Sequence, residues 1–266
     1  YNRVGSLATR IRLGGNWTLF GQATASATRG SDGVRRAGPA YYVSLRHNGR
    51  HTNLASTYTD RSPDFRTQLG YITRVDIREW KHTAGYTWRP RASALVSFGP
   101  GLTEEVVWNR QGRVRDWSAT PYFEFGMRRA TYFQTGFMEG FELYRDIGFR
   151  KRGAYAAFTT QWYRWLALTV QYSASRGINY YPAQGLPPSP ARSSMAYGTL
   201  TVHATKRLRF DETYNYSRLE ARREWLPDPS IAPGVAFVNH IIRSKASYQF
   251  TREFSLRAIV DYNAVL

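Results

Sequence analysis

From Trp165 onward the chain alternates. Leu166, Leu168, Val170, Tyr172 and Ala174 occupy every second position, with Ala167, Thr169, Gln171, Ser173 and Ser175 between them. A period of two places the two sets on opposite faces of an extended strand. The same period returns near the end, where Val238, His240, Ile242, Ala246, Tyr248 and Phe250 oppose Asn239, Arg243, Lys245, Ser247 and Gln249. It continues as Phe254, Leu256, Ala258, Val260 and Tyr262 against Ser255, Arg257, Asp261 and Asn263. Near the start, Leu7, Ile11 and Leu13 oppose Ser6, Arg10 and Arg12. Followed through the chain, this alternation predicts about fourteen strands of roughly 9 to 13 residues, the length a tilted strand needs to cross hydrocarbon.

The connections predict how those strands are joined. Short ones fall at Gly14-Gly15-Asn16, Asn48-Gly49-Arg50, Arg89-Pro90-Arg91, Arg128-Arg129, Tyr163-Arg164, Lys206-Arg207 and Thr251-Arg252-Glu253. Longer ones are expected between them, over residues 30–39, 60–76, 109–115, 145–153, 176–192 and 219–236. Strict exchange of short and long connections is the signature of an up-and-down antiparallel barrel, with tight turns at one rim and extended loops at the other. A Greek-key sandwich has no reason to produce it. The aromatics agree with this reading. Trp17, Trp88, Trp162, Trp165, Phe210, Phe250 and Phe254 all lie within a few residues of a short turn, where a membrane barrel places its aromatic girdle.

Composition excludes several classes. The 266 residues include no cysteine, which removes disulfides, thiolate metal sites and cysteine nucleophiles. Mean hydropathy is −0.51, and no apolar run approaches the ~20 residues of a membrane helix. The formal charge of +18 would suit a polyanionic partner. The basic residues, however, are spread along the whole chain without a helical recognition pattern, so nucleic acid is not expected. In turns, loops and a polar interior, such arginines would meet lipopolysaccharide phosphates outside or anionic solutes inside.

The candidate interior positions are Arg10, Arg12, Lys81, Thr169, Gln171, Arg209, Asp211, Arg243, Lys245, Arg257 and Asp261. Arg209 and Asp211, Arg243 and Lys245, and Arg257 and Asp261 fall on the inward faces of three consecutive strands, where opposite charges pair across the ladder. Glu139 and Glu212 fall on the outward face, which predicts a bulge or a place near the membrane edge for each. In the run Ser62, Pro63, Asp64, Phe65 and Arg66, Pro63 fixes a turn, Asp64 can bond nearby amides, and Phe65 can anchor the returning loop. The segment is a candidate constriction folded into the lumen. His47 and His51 flank one tight turn without metal-ligand spacing, and neither a catalytic constellation, a metal site nor a cofactor is predicted.

The run from Thr57 to Asp76, with its Asp60-Arg61-Ser62-Pro63-Asp64-Phe65 core, resembles the signature of a bacterial barrel family of unknown function, number 5916. Arg46-His47-Asn48-Gly49-Arg50-His51 before it, and Tyr86-Thr87-Trp88-Arg89-Pro90 and Ser97-Phe98-Gly99-Pro100 after it, resemble the same family. The resemblance implies an outer-membrane barrel that normally follows a domain similar to carbohydrate-binding module family nine. On that reading, residues 1–266 are a single barrel domain, a fragment lacking the soluble amino-terminal domain, and part of a barrel whose full strand number is larger or equal. The family brings no catalytic residues.

Function is then expected in one of three forms. The first is a conduit or transport pore for a hydrated, anionic or glycan-derived solute. The second is a structural anchor for a surface domain or larger assembly, with other outer-membrane or periplasmic subunits as partners. The third is an outer-membrane hydrolase. All three place the chain in the bacterial outer membrane, with lipid and lipopolysaccharide around it.

Overall fold

The computed structural model describes the whole chain except residues 69, 71, 73, 92, 93, 183, 184, 227, 228, 230, 231 and 266. Fourteen strands follow one another: β1 (Asn2–Gly14), β2 (Trp17–Arg29), β3 (Arg35–Asn48), β4 (Thr52–Arg61), β5 (Ile77–Tyr86), β6 (Leu95–Trp108) and β7 (Val114–Met127), then β8 (Thr131–Tyr144), β9 (Ile147–Tyr163), β10 (Leu166–Asn179), β11 (Ser189–His203), β12 (Leu208–Ala221), β13 (Gly234–Gln249) and β14 (Ser255–Val265). They form one antiparallel up-and-down sheet in sequence order. The only helical element among the described residues is a single 3-10 turn, Arg223–Trp225.

The short turns form where the backbone can reverse cheaply. At the β1–β2 turn Gly14, Gly15 and Asn16 have φ of 82°, 52° and 67°, a region open to glycine and tolerated by asparagine. The strands run from 10 to 17 residues; β1, β2, β4, β5 and β14 keep the expected length and the others run longer. One expected long connection is absent. Instead of a loop over 145–153, β8 and β9 are joined by Arg145-Asp146 alone, both with positive φ, 48° and 63°. Residues 35–39 likewise belong to β3 and not to the loop before it.

The chain divides into two compact units. The first holds Tyr1–Thr87, Pro100–Pro121 and Gly140–Gly148. Its register places Arg10 opposite Phe20, Phe20 opposite Ser44, Ser44 opposite Thr57, Thr57 opposite Lys81, and Lys81 opposite Glu105. Cross-strand partners share a face. One face of this unit is therefore polar, and the other carries Leu7, Ile11, Leu19, Val43, Tyr58 and Trp80.

The second unit holds Trp88–Gly99, Tyr122–Glu139 and Phe149–Leu266. Thr159, Thr169, Thr199, Thr213, Arg243 and Asp261 form one cross-strand row on its polar face. Leu200, Glu212, Ser244 and Val260 form a row on the opposite, mainly apolar face.

Burial is inverted in both units. The buried hydrophobic side chains are only Phe65, Ile77, Val107, Phe149, Ile178 and Ala191 among the described residues, whereas Ser26, Thr28, Ser44, Ser62 and Ser194 are buried polar groups. Val43, Trp80, Val170 and Tyr172, on the apolar faces of the inner strands, are exposed, whereas β1 and β14 are exposed at polar and apolar positions alike.

Candidate functional site

Polar side chains are concentrated on one face of each unit, and these faces hold the candidate interior residues. In the first unit Arg12 lies opposite Thr18, which lies opposite Arg46, and Arg10 stands one row away. The Arg10 guanidinium sits 5.8 Å from the Phe20 ring centroid, and Arg46 Nε donates to the buried Ser44 Oγ at 3.3 Å. Arg10 lines a cavity of about 410 Å³ together with Thr18, Tyr42, Ser44, Arg46 and Asn48. Lys81 faces the same way and is paired with Glu105 at 3.2 Å.

The Ser62–Arg66 segment folds back over this polar face beside Gly38. Ser62 O accepts from the Phe65 amide at 3.2 Å, closing a turn with Pro63 at its second position, where a fixed φ suits it. Phe65 is 4% exposed. The Arg66 amide donates to Ser26 Oγ at 2.9 Å, and Asn2 Nδ2 donates to Arg66 O at 3.0 Å. Asn2, Ser26 and Gly38 belong to the polar set, since Asn2 lies opposite Thr28 and Ser26 opposite both Val4 and Gly38. A Cβ on Gly38 would fall 2.1 Å from Ser62 Oγ and 2.8 Å from the Phe65 amide, so the loop requires glycine there. Asp64 departs from expectation: it takes no part in the hydrogen bonds of the described residues, and Arg66 Nη1 instead ties the turn through Pro63 O and Phe65 O, at 2.6 and 2.8 Å.

The polar face of the second unit is zoned by rows. Nearest the short turns, Asp211 gathers Arg209 at 2.7 Å and Lys245 at 3.3 Å, and Thr201 Oγ1 donates to it at 2.8 Å. Arg243 makes a bidentate pair with Asp261, at 2.6 and 3.0 Å. Arg257 shares the face, opposite Ser247, and makes no ion pair among the described residues. The Arg243–Asp261 pair ends the threonine row, in which the Thr159 and Thr169 hydroxyls are 3.2 Å apart. Beyond it Gln171, Tyr197, Asn215, Ile241 and Asn263 form an amide-bearing row.

Two parts of these faces escaped the sequence reading. One is Arg46, which stands in a turn-like stretch and gains meaning only from its register with Thr18 and Arg12. The other is a chain of hydrogen bonds in the second unit: Tyr155 OH donates to Gln134 Oε1 at 3.1 Å, Gln134 Nε2 to Tyr132 OH at 3.1 Å, and Tyr132 OH to Glu124 Oε2 at 2.7 Å.

The aromatics expected in the girdle make ring contacts beside the short turns. Trp17 packs on His47 at 4.7 Å, Trp88 stacks on Phe98 at 5.3 Å, and Trp165 stacks on Tyr163 at 5.6 Å. Arg129 covers Trp162 at 4.8 Å, and Phe250 lies between Tyr248 and Phe254 at 4.6 and 5.2 Å. Phe210, opposite Ala246, is exposed on the apolar face.

The two carboxylates expected to face outward are accommodated differently. Glu139 accepts from Arg152 at 2.8 Å, in a zone where Arg152, Arg176, Arg192 and Glu220 share a row near the longer loops. Glu212 lies in an unbroken register, so of the two accommodations expected for it the bulge is absent, and Ser244 Oγ donates to it at 2.5 Å. His47 and His51 bond separately to Thr52 and Thr87. No family model, no curated protein and no solved structure matches the chain.

Proposed function

We propose that the chain is the wall of a bacterial outer-membrane β-barrel that acts as a conduit for a hydrated, anionic or glycan-derived solute. The observation that carries this reading is the inverted burial. In water, each large apolar side chain left exposed forgoes ~1.5–3 kcal/mol of burial. In hydrocarbon the same faces are solvated, and a sheet can span it when its strands, edges included, satisfy one another's backbone in a closed barrel. The aromatic clusters at the short turns fit a headgroup-level girdle. The Arg152, Arg176 and Arg192 row fits the opposite edge, where lipopolysaccharide phosphates are the chemical complement.

A conduit needs a wetted face with binding strong enough to admit a solute and weak enough to release it. The charged, hydroxyl and amide rows supply neutral and ionic hydrogen-bonding partners in graded bands, and the docked Ser62–Arg66 loop is placed to narrow the passage. Purified protein reconstituted in a planar bilayer is expected to carry discrete single-channel currents with anion over cation preference. Stable incorporation without current would replace the conduit by an anchoring role.

A further inference from the structure

We infer that Arg10, Arg12 and Arg46 form an oxyanion-binding site on the polar face of the first unit, built for the phosphate group of a passing solute. This rests on the conduit reading and names the chemistry of its cargo. The basic residues of this site have no counter-charge. Neither Arg10, Arg12 nor Arg46 makes an ion pair among the described residues, and the neighbouring Glu105 is already held by Lys81.

The spacing fits one tetrahedral anion. Arg12 and Arg46 flank Thr18 in a single row, and strands ~4.8 Å apart put their Cα atoms about 10 Å from each other. Two guanidinium forks at that separation can close on one oxyanion, with the Thr18 hydroxyl as a donor beneath it. Arg10 adds a third fork from the next row. Phe20 covers one face of the Arg10 guanidinium, shielding it from water and strengthening its pull on an anion. Ser44 fixes Arg46 through Nε, which leaves its terminal nitrogens for a ligand. Three like charges so close repel one another, and an anion among them removes the repulsion. Arginine rather than lysine suits this work, because its planar fork matches phosphate oxygens two at a time. Thr18 and Asn48 line both the cavity beside Arg10 and Arg46 and a second one beside Arg12.

Inorganic phosphate titrated into the full chain, in detergent stripped of lipopolysaccharide, tests this by isothermal calorimetry. Saturable binding is expected, weakened about tenfold by each of Arg10→Gln, Arg12→Gln and Arg46→Gln, the loss of one charge-assisted hydrogen-bonded contact. Arg207→Gln, in a short turn elsewhere, leaves binding unchanged. Heat-modified gel mobility reports whether each variant folds; Arg46→Lys, which keeps the charge and removes the fork, serves if a glutamine variant does not, and weakens binding while retaining it. No phosphate binding by the wild-type chain, or equal binding by the triple glutamine variant, overturns the site, as does binding that appears only when lipopolysaccharide is restored. The readout needs no current: phosphate binding without bilayer conductance keeps the site and refutes the conduit, and conductance without phosphate binding does the reverse.

Discussion

The polar faces of β1–β3 and of β12–β14 use the same cation for opposite purposes. In the later strands Arg209, Lys245 and Arg243 are each matched to Asp211 or Asp261, while Arg257 at the end of that face makes no ion pair among the described residues. In the earlier strands Arg10, Arg12 and Arg46 have hydroxyls, an aromatic ring and open space around them, and no carboxylate. The difference lies in one residue type at the cross-strand positions. Where aspartate stands opposite or two residues along, the pair ties neighbouring strands together. Where threonine or serine stands there, the charge is left for something that arrives from solution.

The largest effect that sharpens this contrast should come from the loop lying over the first face. Phe65→Ala removes its buried anchor and should cost about 3 kcal/mol, measured by urea titration in lipid vesicles. The loop released in this way should also raise single-channel conductance, and Gly38→Ala should do the same by displacing Ser62. Next, Asp211→Ala leaves Arg209 and Lys245 without their common partner and should lower stability by about 2 kcal/mol. The conservative Asp211→Asn, combined with Asp261→Asn, should make the later face resemble the earlier one and shift the reversal potential toward greater anion preference. If selectivity does not move, the paired and unpaired faces are not distinguished by charge.

A smaller effect is expected on the apolar side. Glu212→Leu removes an acid from a face read as lipid-contacting and should stabilise the protein by about 1 kcal/mol. The smallest concerns Asp32, in the loop between β2 and β3. The Arg36 guanidinium, helped by the Val34 amide, holds its carboxyl below the ordinary 3.8. A depressed carboxylate stabilises the folded loop fully above the unfolded value, and that contribution is lost as pH falls through the lower folded one. The Val34 amide shift should therefore stay constant from neutrality to about pH 4 and move only below it.

The fold was legible because alternation is local: Leu168 and Val170 against Thr169 and Gln171 can be read without knowing any neighbour. That opposite charges on neighbouring strands would meet across the ladder was legible for the same reason, but the particular pair Arg243 and Asp261 follows only from the register. What escaped depends on distant partners. The loop over Ser62–Arg66 finds its face through Asn2, Ser26 and Gly38, residues from three different strand positions. Arg46 reads as part of a turn until its register joins it to Arg12. The Arg145-Asp146 turn was mistaken for the start of a long loop because it lacks glycine, and two ordinary residues in the left-handed region carry no sequence mark. The Tyr132–Glu124 chain was missed because tyrosine and glutamate at alternate positions look like any solvated face.

The central claim is that the two faces of each strand meet different solvents. The chain has no cysteine of its own, so single cysteines can be introduced on a clean background and challenged with a membrane-impermeant maleimide in reconstituted vesicles. Thr169→Cys and Gln171→Cys are expected to react, and Leu168→Cys and Val170→Cys to stay unmodified until the bilayer is dissolved. Equal labelling at all four positions in the intact vesicle would contradict the assignment of one face to lipid and the other to water.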